Sequence, residues 1–144
     1  MIQNILDRKG TEVVTIRGTE TVKSAADRMR ELGIAALVVK SADAINGVIS
    51  EREIVEAVSQ HGEGALSLAV LDVATRTIVS VAPTDSLRRA MSLMTNQRVR
   101  HLLVIASGNL VGIVSIGNYT GRAVAATPPP GERPCLIPRP LRTA

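Results

Sequence analysis

The 144-residue chain has no phenylalanine, no tryptophan and a single tyrosine, Tyr119. Its core must therefore be packed from Val, Ile, Leu, Ala and Met, and it lacks the aromatic platforms on which single-stranded nucleic acid stacks. The lone cysteine, Cys135, cannot form an internal disulfide. With only His61 and His101 besides, the sequence offers no Cys/His cluster for a metal. No apolar run approaches the roughly 18 residues that cross a bilayer, and Met1-Ile2-Gln3-Asn4 does not open a basic-then-apolar leader. P-loop, nucleophile-elbow and Rossmann glycine patterns are also missing, and no third residue is placed to orient a pairing of His101 with Ser115. These absences point to a soluble cytoplasmic protein without catalytic machinery, metal or membrane segment.

A surplus of acid is missing too, and the sequence pI is near 10. The excess of base is concentrated beyond Gly121, in Arg122, Arg133, Arg139 and Arg142 against Glu132. Without those five residues the remainder holds 13 basic and 12 acidic side chains. A near-neutral body does not present the basic face that binding to a phosphate backbone requires, which argues against a nucleic-acid partner.

What is present is a repeat. Shifted by 65 residues, Ile5-Leu6-Asp7 falls on Val70-Leu71-Asp72, Met29 on Met94, Leu37-Val38-Val39 on Leu102-Leu103-Val104, and Gly47-Val48-Ile49-Ser50 on Gly112-Ile113-Val114-Ser115. Units of this size bury too little surface alone, so two copies are expected to pack face to face and to leave matching clefts between them.

Within each copy the pattern predicts β-α-β-β-α after a short leading helix. Val13 to Ile16 and Val79 to Val81 are short β-branched runs, followed by expected N-caps at Thr19 and within Pro83-Thr84-Asp85-Ser86. Val22, Ala25, Ala26, Met29 and Leu32 form one helical stripe, and Leu87, Ala90, Met91 and Met94 form the other. The methionines at 29, 91 and 94 are expected in the core. Ala36 to Val39, Ile45 to Ile49, Leu102 to Ile105 and Leu110 to Val114 read as buried strands, the last two joined by a tight turn in which Gly108 and Asn109 take positive φ. Ser50 opens a helix that carries Ile54, Ala57 and Val58 inward. Gln60 to Gly64 reads as a flexible joint, with His61 a linker residue of no role. From Thr127 onward, six prolines predict a disordered tail.

Tandem β-α-β-β-α units that each close on Gly-Val-Ile-Ser or Gly-Ile-Val-Ser resemble the CBS-domain pair, or Bateman module, named after cystathionine β-synthase. Arg98-Val99-Arg100-His101-Leu102-Leu103-Val104 is similar to the family's basic pair before a strand, and Ser115-Ile116-Gly117-Asn118 to its closing Ser/Thr-x-x-Asp motif. The resemblance covers about residues 1 to 125. It implies an α+β fold of two pseudo-twofold-related repeats, residues 1–60 and 61–125, followed by the tail 126–144. It also implies a regulatory function: binding of an adenosine-containing ligand, AMP foremost, or ATP, NAD or S-adenosylmethionine, with signalling to a regulated protein. Such modules commonly form homodimers. Here the helices beginning near Glu51 and Ile116, or those starting at Thr21 and Ser86, would supply the interface.

The ligand-binding set this implies is Arg98, Arg100, His101, Ser115 and Asn118, with Ser50 and Glu53 in the first copy. A nucleotide needs cations for phosphate, an acceptor for the ribose diol and an apolar slot for adenine. The same residues have plainer readings. Ser50-Glu51-Arg52-Glu53 is by itself a helix capping box, Arg98 and Arg100 can be solvated surface charges, and His101 can be a packed, hydrogen-bonded side chain. The copies are unequal: the closing motif ends in Glu53 and in the uncharged Asn118 where the family carries Asp, and Ala35-Ala36 stand opposite Arg100-His101. The expected occupied site is therefore centred on Arg100, His101 and Ser115. The alternative is an interaction module that has lost its ligand.

Overall fold

The computed structural model describes residues 1–9 and 13–115. Asn118, the helix expected near Ile116 and the tail 126–144 lie outside the described residues. Helix α1 (Ile2–Lys9) leads into β1 (Thr15–Arg17), α2 (Val22–Leu32), β2 (Ala36–Ser41), β3 (Ala44–Ser50) and α3 (Glu51–His61). After a 3₁₀ turn over Gly62–Ser67, helix α4 (Val70–Val73) leads into β4 (Ser80–Val81), α5 (Leu87–Gln97), β5 (His101–Ala106) and β6 (Asn109–Ser115). The fold is the expected α+β repeat.

Each repeat forms a three-stranded sheet, ordered β1-β2-β3 and β4-β5-β6. The first two strands of each run parallel and the last two antiparallel. Even the irregularities recur, with a register shift at Val39/Lys40 in one sheet and at Val104/Ile105 in the other. The continuous apolar runs have a simple cause. Leu37, Val39 and Ile49 pack on their own repeat's helices, while Val38 and Val48 pack against Leu103 of the other sheet. A strand buried on both faces has no polar face to show in its sequence.

The leading helices are exchanged between the repeats. Ile2, Ile5 and Leu6 of α1 join Val81, Ala90, Met94, Leu102, Val104 and Val114 in the second repeat's core. Val70 of α4 is buried among Ile16, Ala25, Met29, Leu37, Val39 and Ile49 of the first. Backbone bonds secure both crossings: Ile2 N–H donates to the Asp85 carbonyl at 3.0 Å, and Val70 N–H to the Glu20 carbonyl at 2.7 Å. The paired motif glycines make room for them. A Cβ on Gly47 would lie 2.4 Å from the Thr75 carbonyl oxygen, and one on Gly112 would lie 2.5 Å from Leu6 Cδ2.

Several expectations are corrected. The N-cap of α2 is Thr21, whose hydroxyl accepts from Ser24 N–H at 3.1 Å, because Thr19 is still in the turn after β1. Leu32, Met91 and Val58 are 54%, 38% and 44% exposed. Met91 and Val58 each follow a fully turned-in alanine, Ala90 or Ala57, and so lie about 100° round the helix from the buried line. Leu32 ends α2 and borders a surface recess. The joint is ordered: His61 completes α3 and the following 3₁₀ turn buries Ala65. In the β5–β6 turn positive φ falls on Ser107 and Gly108, not on Asn109.

Candidate functional site

The open ends of the two β-hairpins face one another. Ser50, at the end of β3, pairs with Ala36, and Ser115, at the end of β6, pairs with His101. Between these ends lies a cleft of about 460 Å³ lined by Ala35, Ser50, Glu51, Arg52, Val55, Glu56, Arg100, His101 and Ser115. That volume suits a nucleotide-sized ligand.

Two recesses adjoin it, and each takes residues from both repeats. The smaller, about 40 Å³, is bounded by Val48, Ser50, Arg52 and Glu53 of the first repeat and by Thr75, Thr77, Arg98, Val99, Arg100 and His101 of the second. The larger, about 290 Å³, is bounded by Val14, Leu32, Ile34, Ala35, Ala36, His101, Ile113, Val114 and Ser115. The basic segment at 98–101 thus meets the first copy's closing motif, whereas Ser115 stands opposite Ala35 and Ala36. Arg100, His101 and Ser115 share the main cleft. Arg98 and Glu53 meet only in the smaller recess, and Asn118 lies outside the described residues.

Glu53 is engaged on both carboxylate oxygens. Its Oε1 accepts the Ser50 N–H at 2.8 Å and also the Ser50 hydroxyl, and its Oε2 accepts the Thr75 hydroxyl at 3.0 Å. The bond from Ser50 N–H belongs to the capping box that the Ser-x-x-Glu spacing predicts. The bond to Thr75 ties the start of α3 to the segment that returns beside β3, where Val48 and Thr75 exchange backbone bonds of 3.0 and 2.9 Å. Thr75 and Thr77 were not legible as site residues, because they lie between α4 and β4, outside any periodic pattern.

The cations of the cleft are differently placed. Arg52 pairs with Glu56 at 3.3 Å on the exposed rim, an ion pair of little energetic consequence. The ion pairs among the described residues engage neither Arg98 nor Arg100. Arg98 closes α5 with φ 55°, in the left-handed region that Ala42 and Ser107 also take.

Known proteins offer an independent comparison. The family model described as CBS domain matches residues 6–60 and 70–119. The mitochondrial CBS domain-containing protein CBSX3 of Arabidopsis thaliana is 36% identical over 110 residues, covering 73% of this chain and 53% of that protein. The chain therefore spans about half the length of that relative. CBS domain-containing protein YhcV of Bacillus subtilis is 28% identical over 117 residues, covering 81% of this chain and 83% of its own. The crystal structure of a CBS-domain-containing protein from Agrobacterium tumefaciens superposes with a TM-score of 0.79 at 33% identity, covering 85% of this chain and 92% of that one.

Proposed function

Because the chain belongs to the CBS-domain family and carries the domain twice, we propose that it is a non-catalytic regulatory module. It binds an adenine nucleotide in the cleft between the repeats and passes occupancy to a partner protein. The observation that carries this reading is the smaller recess, where Arg98 and Arg100, unpaired among the described residues, stand across from the Glu53 carboxylate. In this reading the arginines hold phosphate, and Glu53 exchanges its Ser50 and Thr75 hydroxyl bonds for those of a ribose diol. The apolar wall at Ala35 and Val55 receives the base. AMP is the first ligand to test, with ATP and NAD next. His101 and Ser115 complete the wall of the cleft, and Asn118, which ends the second copy's closing motif, is proposed as a further ligand-binding residue.

The test is calorimetry and melting with AMP and with adenosine on the wild type and on Arg100→Ala. A ligand that binds only the native state at a hundredfold excess over Kd stabilises by about 2.7 kcal/mol, which moves Tm by several degrees. Arg100→Ala is expected to weaken AMP by roughly tenfold or more and to leave adenosine nearly unchanged. If neither compound shifts the melt at millimolar concentration, the nucleotide reading is wrong.

A second reading, a ligand-free interaction module, draws on the internal bonds that occupy Glu53 and on the alanines at 35 and 36, where the second copy has Arg100 and His101. In either case a homodimer is proposed, with the exposed Val58 of α3 at its interface. Light scattering at micromolar concentration reads this directly.

A further inference from the structure

Each repeat carries exposed apolar side chains away from the cleft. On the first they are Val58 of α3 and Leu66 of the 3₁₀ turn, and on the second Met91 of α5 and Met1 at the start of α1, whose Ile2 is bonded to Asp85 just ahead of α5. Leu66 stands 65 residues after Met1, so the duplication itself places an exposed apolar residue on both. Local geometry sets charges beside them. Glu63 precedes Leu66 by three residues in the 3₁₀ turn, where such positions eclipse, and Arg88 precedes Met91 by three on α5. The two faces differ in sign: α3 and the 3₁₀ turn expose Glu51, Glu56 and Glu63 against Arg52, whereas α5 exposes Arg88 and Arg89 and has no acid. Arg52 is paired with Glu56 and Arg89 with Asp85, so the ion pairs among the described residues leave Glu51 and Glu63 over on the first face and Arg88 on the second.

A second copy of the chain can cover both apolar faces in two ways. In a parallel dimer each face meets its own kind, which sets Glu63 against Glu63 and Arg88 against Arg88. In an antiparallel dimer each face meets the other kind, and the twofold axis makes that acid-to-base contact twice. Like charges brought together at an interface are penalised, and opposite charges fix the register. Resting on the homodimer reading above, we propose that the chain pairs antiparallel, with the Val58–Leu66 face of each copy on the Met1–Met91 face of the other. Charge decides the orientation, and apolar contact holds it.

The experiment uses the full chain with its one cysteine removed by Cys135→Ser. Val58→Cys and Met91→Cys are placed in that background separately, oxidised alone and as a mixture, and read on non-reducing gels. The mixture is expected to give a cross-linked dimer and neither variant alone to give one. Self-cross-linking of either variant would establish the parallel arrangement and overturn the proposal, as would a mixture that stays uncross-linked while light scattering shows a dimer. Charge reversal supplies the second measurement, taken from the dilution dependence of the dimer. Glu63→Lys and Arg88→Glu should each raise the dimer Kd about threefold to tenfold, since each spoils two exposed ion-pair contacts. Combined in one chain they should restore most of the loss, and added salt should weaken the wild type. A combined variant no tighter than either single one would overturn the proposal while leaving a homodimer in place. A wild type that is monomeric at micromolar concentration would remove the homodimer and the proposal together.

Discussion

Asn46 carries a buried side-chain oxygen with no hydrogen-bond partner. The position 65 residues later is Val111, packed against the second core. An orphaned acceptor costs about 1–3 kcal/mol, so Asn46→Val should stabilise the protein by about 1 kcal/mol, seen as a higher urea midpoint at unchanged slope. Glu20 makes a different prediction. Its carboxylate accepts the Arg17 N–H at 3.1 Å and the Ser24 hydroxyl at 3.0 Å, and it pairs with Arg28 at 3.1 Å. The Arg17 backbone bond above all, partly opposed by desolvation and aided by Ser24 and Arg28, holds its carboxyl below the usual range. The folded state therefore binds this proton more weakly than the unfolded chain. The resulting stability is fully present above the unfolded pKa of about 4.3 and is lost as the pH falls through the folded value. Wild type should accordingly exceed Glu20→Gln at pH 7, with the gap closing in acid; a gap independent of pH would mean that Glu20 acts without its charge. At this scale the sequence was most legible where partners are close along the chain. Ser50 and Glu53 could be paired by spacing alone, but the Glu53–Thr75 bond, across 22 residues, could not.

Strands and helices were legible from periodicity, down to the buried runs at 37–39 and 102–104. What each element packs against was not, because a stripe says that a face is covered and not by what. Helix α1 is the case in point. Leu6 is almost wholly buried in the core of the repeat to which it does not belong in sequence. Leu6→Ala is expected to cost about 2–5 kcal/mol by leaving a cavity there, measurable by chemical denaturation. The motif glycines separate two kinds of crowding. Gly47→Ala would drive a methyl into the Thr75 carbonyl, which the backbone pairing with Val48 holds in place. Gly112→Ala meets only the tip of the Leu6 side chain, which can rotate away. Overpacking costs roughly 1–3 kcal/mol, and Gly47→Ala should fall at or beyond the top of that range and Gly112→Ala near the bottom. Equal losses would show that Leu6 is as immobile as the backbone.

For the molecule as a whole, the duplication at a constant offset made the paired architecture legible before any contact was known. The exchange of leading helices was hidden, since it changes no residue's periodicity. It makes the two cores interdependent: a chain cut after residue 60 would leave the first without Val70 and the second without Ile2, Ile5 and Leu6. The intact protein should melt in one transition with equal calorimetric and van't Hoff enthalpies, and neither half should show a cooperative melt alone. Two resolved transitions in the intact chain would contradict this. The same exchange sets a timetable. Synthesis releases α1 well before Gly112 and Val114, against which it closes and which follow about a hundred residues later. At roughly 5–20 residues per second, that is a wait of about 5–20 s. Throughout it Ile2, Ile5 and Leu6 have no native core to enter. A helix made well before its partners docks late, and α1 passes that interval as an exposed amphipathic segment dependent on chaperones or on speed.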